Sequence, residues 1–286
     1  MASMDPEEQR AQQREGWEGI ASGWETAAEP FYAGALPVSH WMVDQLRPQP
    51  GQTVLELAAG RGDTGFLAAE LLHPGGRLIC TDGAEAMVEV ARRRGQALGA
   101  RGVEYRMMEL EWLDEKAASI DGILCRFGYM LAIDPEAALR EARRVLRPGG
   151  RLVIAVWAPQ EHNPWLTVVA EESRRLGFLD TPPPPPGTPG PFALSAPGVV
   201  EELVEGAGFD APLVEPIDLT FTAAGLDAWW DTQSAMSPTM QAVVAGLSPA
   251  EHYALRDAVD ARLAPYVAAD GSVALPGRAL GVATEA

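Results

Sequence analysis

The sequence predicts an α/β protein built on a mostly parallel sheet, and three observations support this prediction. Residues 53–157 alternate short β-branched runs with longer segments whose apolar residues recur at helical spacing. A glycine-rich turn follows the first of those runs, as it does in sheets that bind ligands at their strand ends. The chain has 286 residues and is 47% hydrophobic, which is enough for one large domain with a packed core.

The alternating pattern defines the elements of the first half of the chain. Five strands are predicted at residues 53–58, 77–82, 103–107, 120–125 and 151–157. Three helices are predicted between them at residues 63–72, 84–98 and 134–146, the last of which ends before a Pro-Gly-Gly turn. Helical segments precede the first strand, and we expect residues 1–48 to form a helical lid whose first dozen residues are disordered.

The second half is less regular, and it predicts the remainder of a single domain over residues 49–286. The predicted elements are a helix at 164–176, an extended proline-rich segment at 181–191, a helix capped by Ser195 and ending at Ala207, a strand at 213–221, two helices within 225–269 and a last strand at 270–284. We expect the last strand to return antiparallel to the sheet, and residues 225–269 to be a helical insertion.

Composition and charge restrict the possible partners. The net charge of −18 and the pI near 4.6 argue against nucleic acid and anionic membranes, because both require clustered Lys and Arg. Cys80 and Cys125 lie in apolar runs and are expected to be buried thiols. The sequence shows neither a signal-peptide pattern at its start nor a run of about 18 apolar residues. We therefore expect a cytoplasmic protein that acts on a small molecule.

The glycine-rich turn carries unusual charges. Gly60, Gly62 and Gly65 have the G-x-G-x-x-G spacing of dinucleotide-binding turns, which alone is a weak indication of function. Glu56 and Asp63 place two acidic side chains where a diphosphate would bind, at an electrostatic cost. An adenosine that carries a sulfonium and an ammonium and lacks phosphate fits these charges better. The spacing still permits an NAD(P)-dependent oxidoreductase.

Five segments in order carry a family resemblance: VLELAAGRGDTG, LICTDGAEAMVEVA, MMELEWL, DGILCRFGYM and REARRVLRPGGRLVIAVW. Residues 50–160 resemble a class I S-adenosylmethionine-dependent methyltransferase and are similar to the ubiquinone and menaquinone C-methyltransferases. The resemblance implies a Rossmann-like seven-stranded, mostly parallel sheet with one antiparallel strand, flanking helices and a helical lid. It also implies S-adenosylmethionine as cofactor and S-adenosylhomocysteine as product. A non-catalytic S-adenosylmethionine-binding protein is a further alternative.

The resemblance also assigns the cofactor residues. Glu56 and the backbone from Ala58 through Gly60 to Gly62 would hold the amino-acid end of the cofactor, and Asp82 would accept hydrogen bonds from the ribose hydroxyls. The other positions implied are Gly83 and Met87 along the adenine, Glu109 and Leu110 at its polar edge, and Arg126 beside the methionine moiety. Ala58 stands where the family usually has Gly, and Glu109 where it usually has Asp.

Aromatic residues outside these motifs predict the acceptor site. Because aromatic side chains form apolar or π-rich pockets, we expect a small apolar or aromatic acceptor bound by Trp24, Phe31, Tyr32, Trp165 and Trp229. If the acceptor loses a proton, His162 is the first candidate base and Tyr129 the second. The sequence shows no metal-ligand spacing, so no metal is expected. It leaves open the methylated atom (O, N or C) and whether the chain is a monomer or a homodimer.

Overall fold

The computed structural model describes residues 5–182, 184–185 and 187–286, and it contains a single mixed sheet of seven strands. The strands are β1 (Thr53–Glu56), β2 (Arg77–Asp82), β3 (Val103–Met107), β4 (Ile120–Arg126), β5 (Leu146–Trp157), β6 (Leu213–Ala223) and β7 (Val273–Glu285). Their order across the sheet is β3-β2-β1-β4-β5-β7-β6. Strands β1 to β5 pair in parallel, whereas β7 is antiparallel to both β5 and β6. The predicted Rossmann-like sheet with one antiparallel strand is confirmed.

Helices cover the sheet and connect its strands. They are α1 (Pro6–Thr26), α2 (Glu29–Leu46), α3 (Asp63–Leu71), α4 (Glu85–Leu98), α5 (Pro135–Val145), α6 (Pro164–Arg175), α7 (Val199–Gly206), α8 (Leu226–Met236), α9 (Pro238–Ala245) and α10 (Pro249–Leu263). The central strands are buried along most of their length, which matches their continuous apolar runs. The core lies between these strands and the helices, and it includes both cysteines as buried free thiols.

The start of the chain is more ordered than the sequence predicted. The expectation of a disordered first dozen residues is wrong for residues 6–12, which form the first turns of α1. Asp5 caps this helix, Pro6 occupies its first turn, and Glu7 and Glu8 provide the favourable charges there. The polar composition of these residues predicts disorder, but ion pairs to the rest of the protein hold them as a helix.

Two details of the second half also differ from prediction. Ser195 does not cap a helix, because its hydroxyl donates to the Phe192 carbonyl and α7 begins only at Val199, after Gly198 in the left-handed region. The helical region has three helices instead of two, since Ser237 precedes a proline and its side chain caps α9. Pro183 and Pro186 of the predicted proline-rich extended segment lie outside the described residues. None of the described helices is long and apolar enough to cross a membrane.

Candidate functional site

The glycine-rich turn joins β1 to α3 at the carboxyl edge of the sheet. Ala58, Gly60 and Gly62 all have positive φ, at 49°, 54° and 78°, so the turn depends on left-handed backbone. The Leu57 amide donates to the Leu124 carbonyl of β4, and the Ala59 amide donates to the Thr81 carbonyl of β2. The turn is therefore fixed to both neighbouring strands, although Ala58 adopts a conformation that usually favours glycine.

Glu56 is buried at the end of β1, with 3% of its surface exposed. Its Oε1 atom accepts a 2.7 Å hydrogen bond from the Gly65 amide, whereas Oε2 has no hydrogen-bond partner among the described residues. A Cβ atom on Gly65 would lie 2.1 Å from that Oε2 atom, so this glycine makes room for the carboxylate. Burial raises the pKa of Glu56 to about 7.

Asp63 does not contribute the free negative charge that the sequence interpretation gave it. At the start of α3, its carboxylate pairs with Arg94 of α4 and lies 3.7 Å from the Arg61 guanidinium. These two cations compensate the charge of Asp63. The prediction of two uncompensated acidic groups around the turn is therefore wrong for Asp63, and Glu56 is the one without an ion pair in the described part of the chain. The pairing with Arg94 could not be predicted from the sequence, because the two residues are far apart in the chain.

Asp82 ends β2 between the glycine-rich turn and α4. Its two carboxylate oxygens accept hydrogen bonds from the Gly60 amide at 2.9 Å and the Ala84 amide at 3.1 Å. Each oxygen has a second lone pair that a ligand hydroxyl can use. Burial raises the pKa of Asp82 to about 6, although these backbone donors oppose the shift. Asp82 therefore ties the turn to the strand end and retains capacity for a ligand.

The residues predicted to contact adenine lie beside Asp82. The Glu109 carboxylate is close to Gly83, where a Cβ atom would be 3.4 Å from Oε2, and Leu110 follows half-buried. Burial raises the pKa of Glu109, while the Arg14 guanidinium, 2.8 Å from Oε1, acts in the opposite direction. Met87 is buried in α4, where it packs with Ile20 and Ala21 of α1. Gly83, Glu109 and Leu110 lie at the same edge of the sheet as Asp82.

Helix α2 places Tyr32 directly over the glycine-rich turn. The Tyr32 hydroxyl lies 3.3 Å from the position that a Cβ atom on Gly60 would take. Two guanidinium carbons lie over the Tyr32 ring, that of Arg61 at 4.4 Å and that of Arg126 at 5.0 Å from its centroid. Arg126 also donates a 2.8 Å hydrogen bond to the Ser39 hydroxyl of α2. Sequence reasoning identified Tyr32 and Arg126 but missed Arg61, although it lies within the turn.

An aromatic cluster fills the space beyond the ends of β4 and β5. Phe31 stacks on Phe221 at 5.8 Å and lies 5.8 Å from Trp165, while Phe127 stacks on Trp157 at 3.8 Å. Trp165 and Phe221 are 4.0 Å apart. These five rings define the aromatic cluster.

Two other residues of the predicted acceptor site lie at different distances from this cluster. Trp24 contacts its edge through Phe31 at 5.2 Å. Trp229 is buried in α8, where the described ring contacts join it to Trp230 instead. Phe127 and Phe221 were not predicted to belong to this cluster, although Phe221 ends the predicted strand 213–221 and Phe127 follows the predicted strand 120–125, and these positions were the available signal.

The two candidate bases have different environments. His162 is exposed in a short 3-10 turn, and its neighbour Asn163 is fully buried and hydrogen-bonded to Trp165 and Arg278. Tyr129 is almost fully buried, and its hydroxyl has no hydrogen-bond partner among the described residues. Burial raises the pKa of Tyr129 well above its ordinary value, which opposes a role as a base near neutral pH. The described residues include no group of three or more metal-ligating side chains.

Comparison with known proteins identifies the segment that contains this site. Residues 55–154 match the family model described as a methyltransferase domain. An uncharacterized 37.1 kDa protein in transposon Tn4556 of Streptomyces fradiae is 44% identical over 114 residues, which are 40% of this chain and 32% of that protein. The ubiquinone/menaquinone biosynthesis C-methyltransferase UbiE of Acidiphilium cryptum is 32% identical over 148 residues, 50% of this chain and 58% of the relative.

Solved structures show the same fold. The YcgJ protein of Bacillus subtilis has a TM-score of 0.58 and 19% identity, over 86% of this chain and 97% of that one. Phosphoethanolamine N-methyltransferase 2 of Haemonchus contortus, in complex with S-adenosyl-L-methionine, has a TM-score of 0.53 and 17% identity, over 87% of this chain and 52% of that one. This chain spans less than two thirds of the length of the sequence relatives described above.

Proposed function

We propose that the chain transfers a methyl group from S-adenosylmethionine to a small molecule, because residues 55–154 match a methyltransferase domain and this segment is similar to UbiE C-methyltransferases. The methyltransferase-domain match and the UbiE relatives agree with the predictions of this family and of an enzyme, and they support S-adenosylmethionine as the cofactor. The acceptor and the individual residue roles are proposals. One observation supports the proposed cofactor site: the candidate cofactor residues lie together at the carboxyl ends of β1 to β4.

The hydrogen-bond acceptors at this site fit a nucleoside without phosphate. Asp82 and Glu109 offer carboxylate oxygens for hydroxyl and amino donors, and Glu56 has a buried oxygen without a partner among the described residues. A diphosphate against the turn would meet these carboxylates at an electrostatic cost. Arg126, whose guanidinium carbon lies 5.0 Å from the Tyr32 ring centroid, would supply the positive charge that an amino-acid carboxylate requires. Arg61 lies over the same ring but already pairs with Glu29 and Asp63.

In the proposed reaction this chain mainly aligns its two substrates and excludes water. S-adenosylmethionine, when bound, supplies an electrophilic methyl group on sulfur. The rigid turn between β1 and α3 would fix its amino-acid end, and Asp82 would fix the ribose. Helices α1 and α2 would form the lid predicted for residues 1–48, with Tyr32 covering the turn. The aromatic cluster would keep the reacting atoms away from water.

The acceptor is proposed to be small and apolar or aromatic. The rings around Phe31, together with Trp24 and Tyr32, favour a ligand that presents a flat or apolar face. Trp229 belongs to the predicted insertion 225–269 and would act through the packing of α8. Replacement Trp24→Ala should reduce acceptor turnover more than cofactor affinity, and the opposite order would place Trp24 against the cofactor. Three further points stay predictions: which atom is methylated, whether the chain is a monomer or a homodimer, and whether it is cytoplasmic.

The need for a general base depends on the acceptor. His162 stays the first candidate because its exposed ring follows β5 at the same edge of the sheet. Replacement His162→Gln should lower turnover by about a hundredfold if it removes the proton, with cofactor affinity unchanged. Unchanged turnover would remove His162 from the reaction.

The test of this function is a calorimetric titration with two adenosine compounds, S-adenosylhomocysteine, which lacks phosphate, and NAD, which carries a diphosphate. Wild-type protein should bind S-adenosylhomocysteine, and Asp82→Ala should weaken that affinity by at least about tenfold. The matched control Asp44→Ala removes an exposed carboxylate of α2 and should leave the affinity unchanged. Binding of NAD in place of S-adenosylhomocysteine would favour the oxidoreductase alternative. S-adenosylhomocysteine binding without methyl transfer to a panel of aromatic acceptors would favour a non-catalytic binding protein.

A further inference from the structure

Helix α1 lies across the edge of the sheet that carries the candidate adenine residues. Ile20 and Ala21 of α1 pack in one buried apolar group with Ala84, Met87 and Val90. Beside this group, the two carboxylate oxygens of Glu18 accept hydrogen bonds from the amides of Glu85 at 2.7 Å and Ala86 at 3.1 Å. These are the first amides of α4, where an acidic group is favourable.

The first half of α1 is held by ion pairs to the loop after β3. Arg14 Nη1 lies 2.8 Å from Glu109 Oε1, and Arg10 Nε lies 3.7 Å from Glu111 Oε1. Glu109 is the carboxylate proposed to accept a hydrogen bond from the adenine amino group. The guanidinium of Arg14 therefore already pairs with one oxygen, Oε1, of the carboxylate that the amino group of the nucleoside would also contact.

The geometry points to Arg14 as a gating residue that competes with the nucleoside for Glu109. This inference rests on the proposed function. When the nucleoside binds, the Arg14 ion pair opens and the first half of α1 loses one of its anchors. Binding of the nucleoside at the adenine site thus makes the first half of α1 less ordered.

The structure confines this opening to the first half of the helix. At the other end of α1, Trp24 Nε1 donates to the Met236 carbonyl at 3.3 Å, and Gly23 lies so close to Ala235 that a Cβ atom would be 2.1 Å from its carbonyl oxygen. Gly16 lies between Arg14 and these contacts, and a Cβ atom on it would meet nothing within 4 Å in the described part of the chain beyond its own helix. Glycine lowers helix stability locally, so the helix can open there without losing its second anchor.

The size of the effect follows from exposure. The side chains of Arg14 and Glu109 are 40% and 35% exposed, so their ion pair is weakened by solvent. Opening such a pair reduces the apparent affinity for the nucleoside by a modest factor. Replacement Arg14→Gln should therefore tighten S-adenosylhomocysteine binding by about two- to fivefold.

A double-mutant cycle tests the competition. Calorimetric affinities for S-adenosylhomocysteine are measured for wild type, Arg14→Gln, Glu109→Gln and the double variant. The gain from Arg14→Gln should disappear in the Glu109→Gln background, because no carboxylate remains to compete for. The matched control Arg93→Gln removes another exposed pair, to Glu25 of α1, and should not change the affinity.

Hydrogen exchange provides a second readout that does not depend on variants. Amides of residues 6–15 should exchange faster in wild-type protein saturated with S-adenosylhomocysteine than in the free protein. Equal S-adenosylhomocysteine affinity of wild type and Arg14→Gln would overturn the proposed role of Arg14 but not the proposed function. Increased protection of residues 6–15 on binding would have the same consequence. Absence of S-adenosylhomocysteine binding in every variant would overturn the proposed function and the gate with it.

Discussion

Replacement Glu56→Gln should stabilise the free protein at pH 8. The carboxylate is buried and receives one backbone hydrogen bond, while its second oxygen has no partner in the described part of the chain. Holding it ionised in this position is therefore unfavourable for the folded state. A neutral amide of the same shape keeps an acceptor for the Gly65 amide and removes the buried charge.

The magnitude follows from the pKa of Glu56. Burial raises it from 4.5 to about 7 in the folded state. At 1.36 kcal/mol for each pH unit, this difference corresponds to about 3 kcal/mol of unfolding free energy. Because the folded-state pKa lies above the unfolded value, this contribution is fully present below pH 4.5 and is lost as the pH rises through 7.

Urea denaturation between pH 5 and pH 8 measures this contribution. The unfolding free energy of the wild type should fall more steeply with rising pH than that of Glu56→Gln, and at pH 8 the variant should be the more stable protein by up to about 3 kcal/mol. The matched control Glu70→Gln changes an exposed carboxylate on α3 and should keep the wild-type pH dependence. Parallel curves for wild type and Glu56→Gln would refute the reasoning.

Two further predictions concern packing and the second candidate base. Replacement Tyr129→Phe should leave methyl transfer intact and change the unfolding free energy by no more than about 1 kcal/mol, because the buried hydroxyl has no partner among the described residues; a large loss of turnover would restore Tyr129 as a base. Replacement Gly23→Ala should destabilise the protein by about 1–3 kcal/mol in chemical denaturation, since the new methyl group would collide with the Ala235 carbonyl. The control Gly19→Ala, in open space on the same helix, should be neutral or stabilising by up to about 1 kcal/mol; equal effects of the two replacements would contradict the close approach of α1 and α8.

Much of the sheet could be predicted because its signals are local. The bounds predicted for β2 and β3, residues 77–82 and 103–107, agree with the structure, since each is a short run between turn residues. Strand β5 begins at Leu146, five residues before the predicted start. The sequence Arg-Pro-Gly-Gly predicts a turn, but a register shift lets strand pairing begin before it.

The candidate site was predictable only in part, because several of its contacts join distant segments. Asp82 ends one predicted strand and Glu109 follows the next, so the order of the strands in the sequence already predicts their position at the sheet edge. The partner of Asp63 on α4 and the pairing of Arg14 with Glu109 depend instead on how helices pack. Phe221 ends a predicted strand, but its approach to Trp165 depends on the strand order β5-β7-β6, which places β6 outside β7.

A crystal structure of the complex with S-adenosylhomocysteine tests the central claim most directly. The account predicts that the ribose hydroxyls lie within hydrogen-bond distance of the Asp82 carboxylate and that the adenine amino group approaches Glu109. A nucleoside bound elsewhere on the chain, with Asp82 making only its contacts to Gly60 and Ala84, would contradict it.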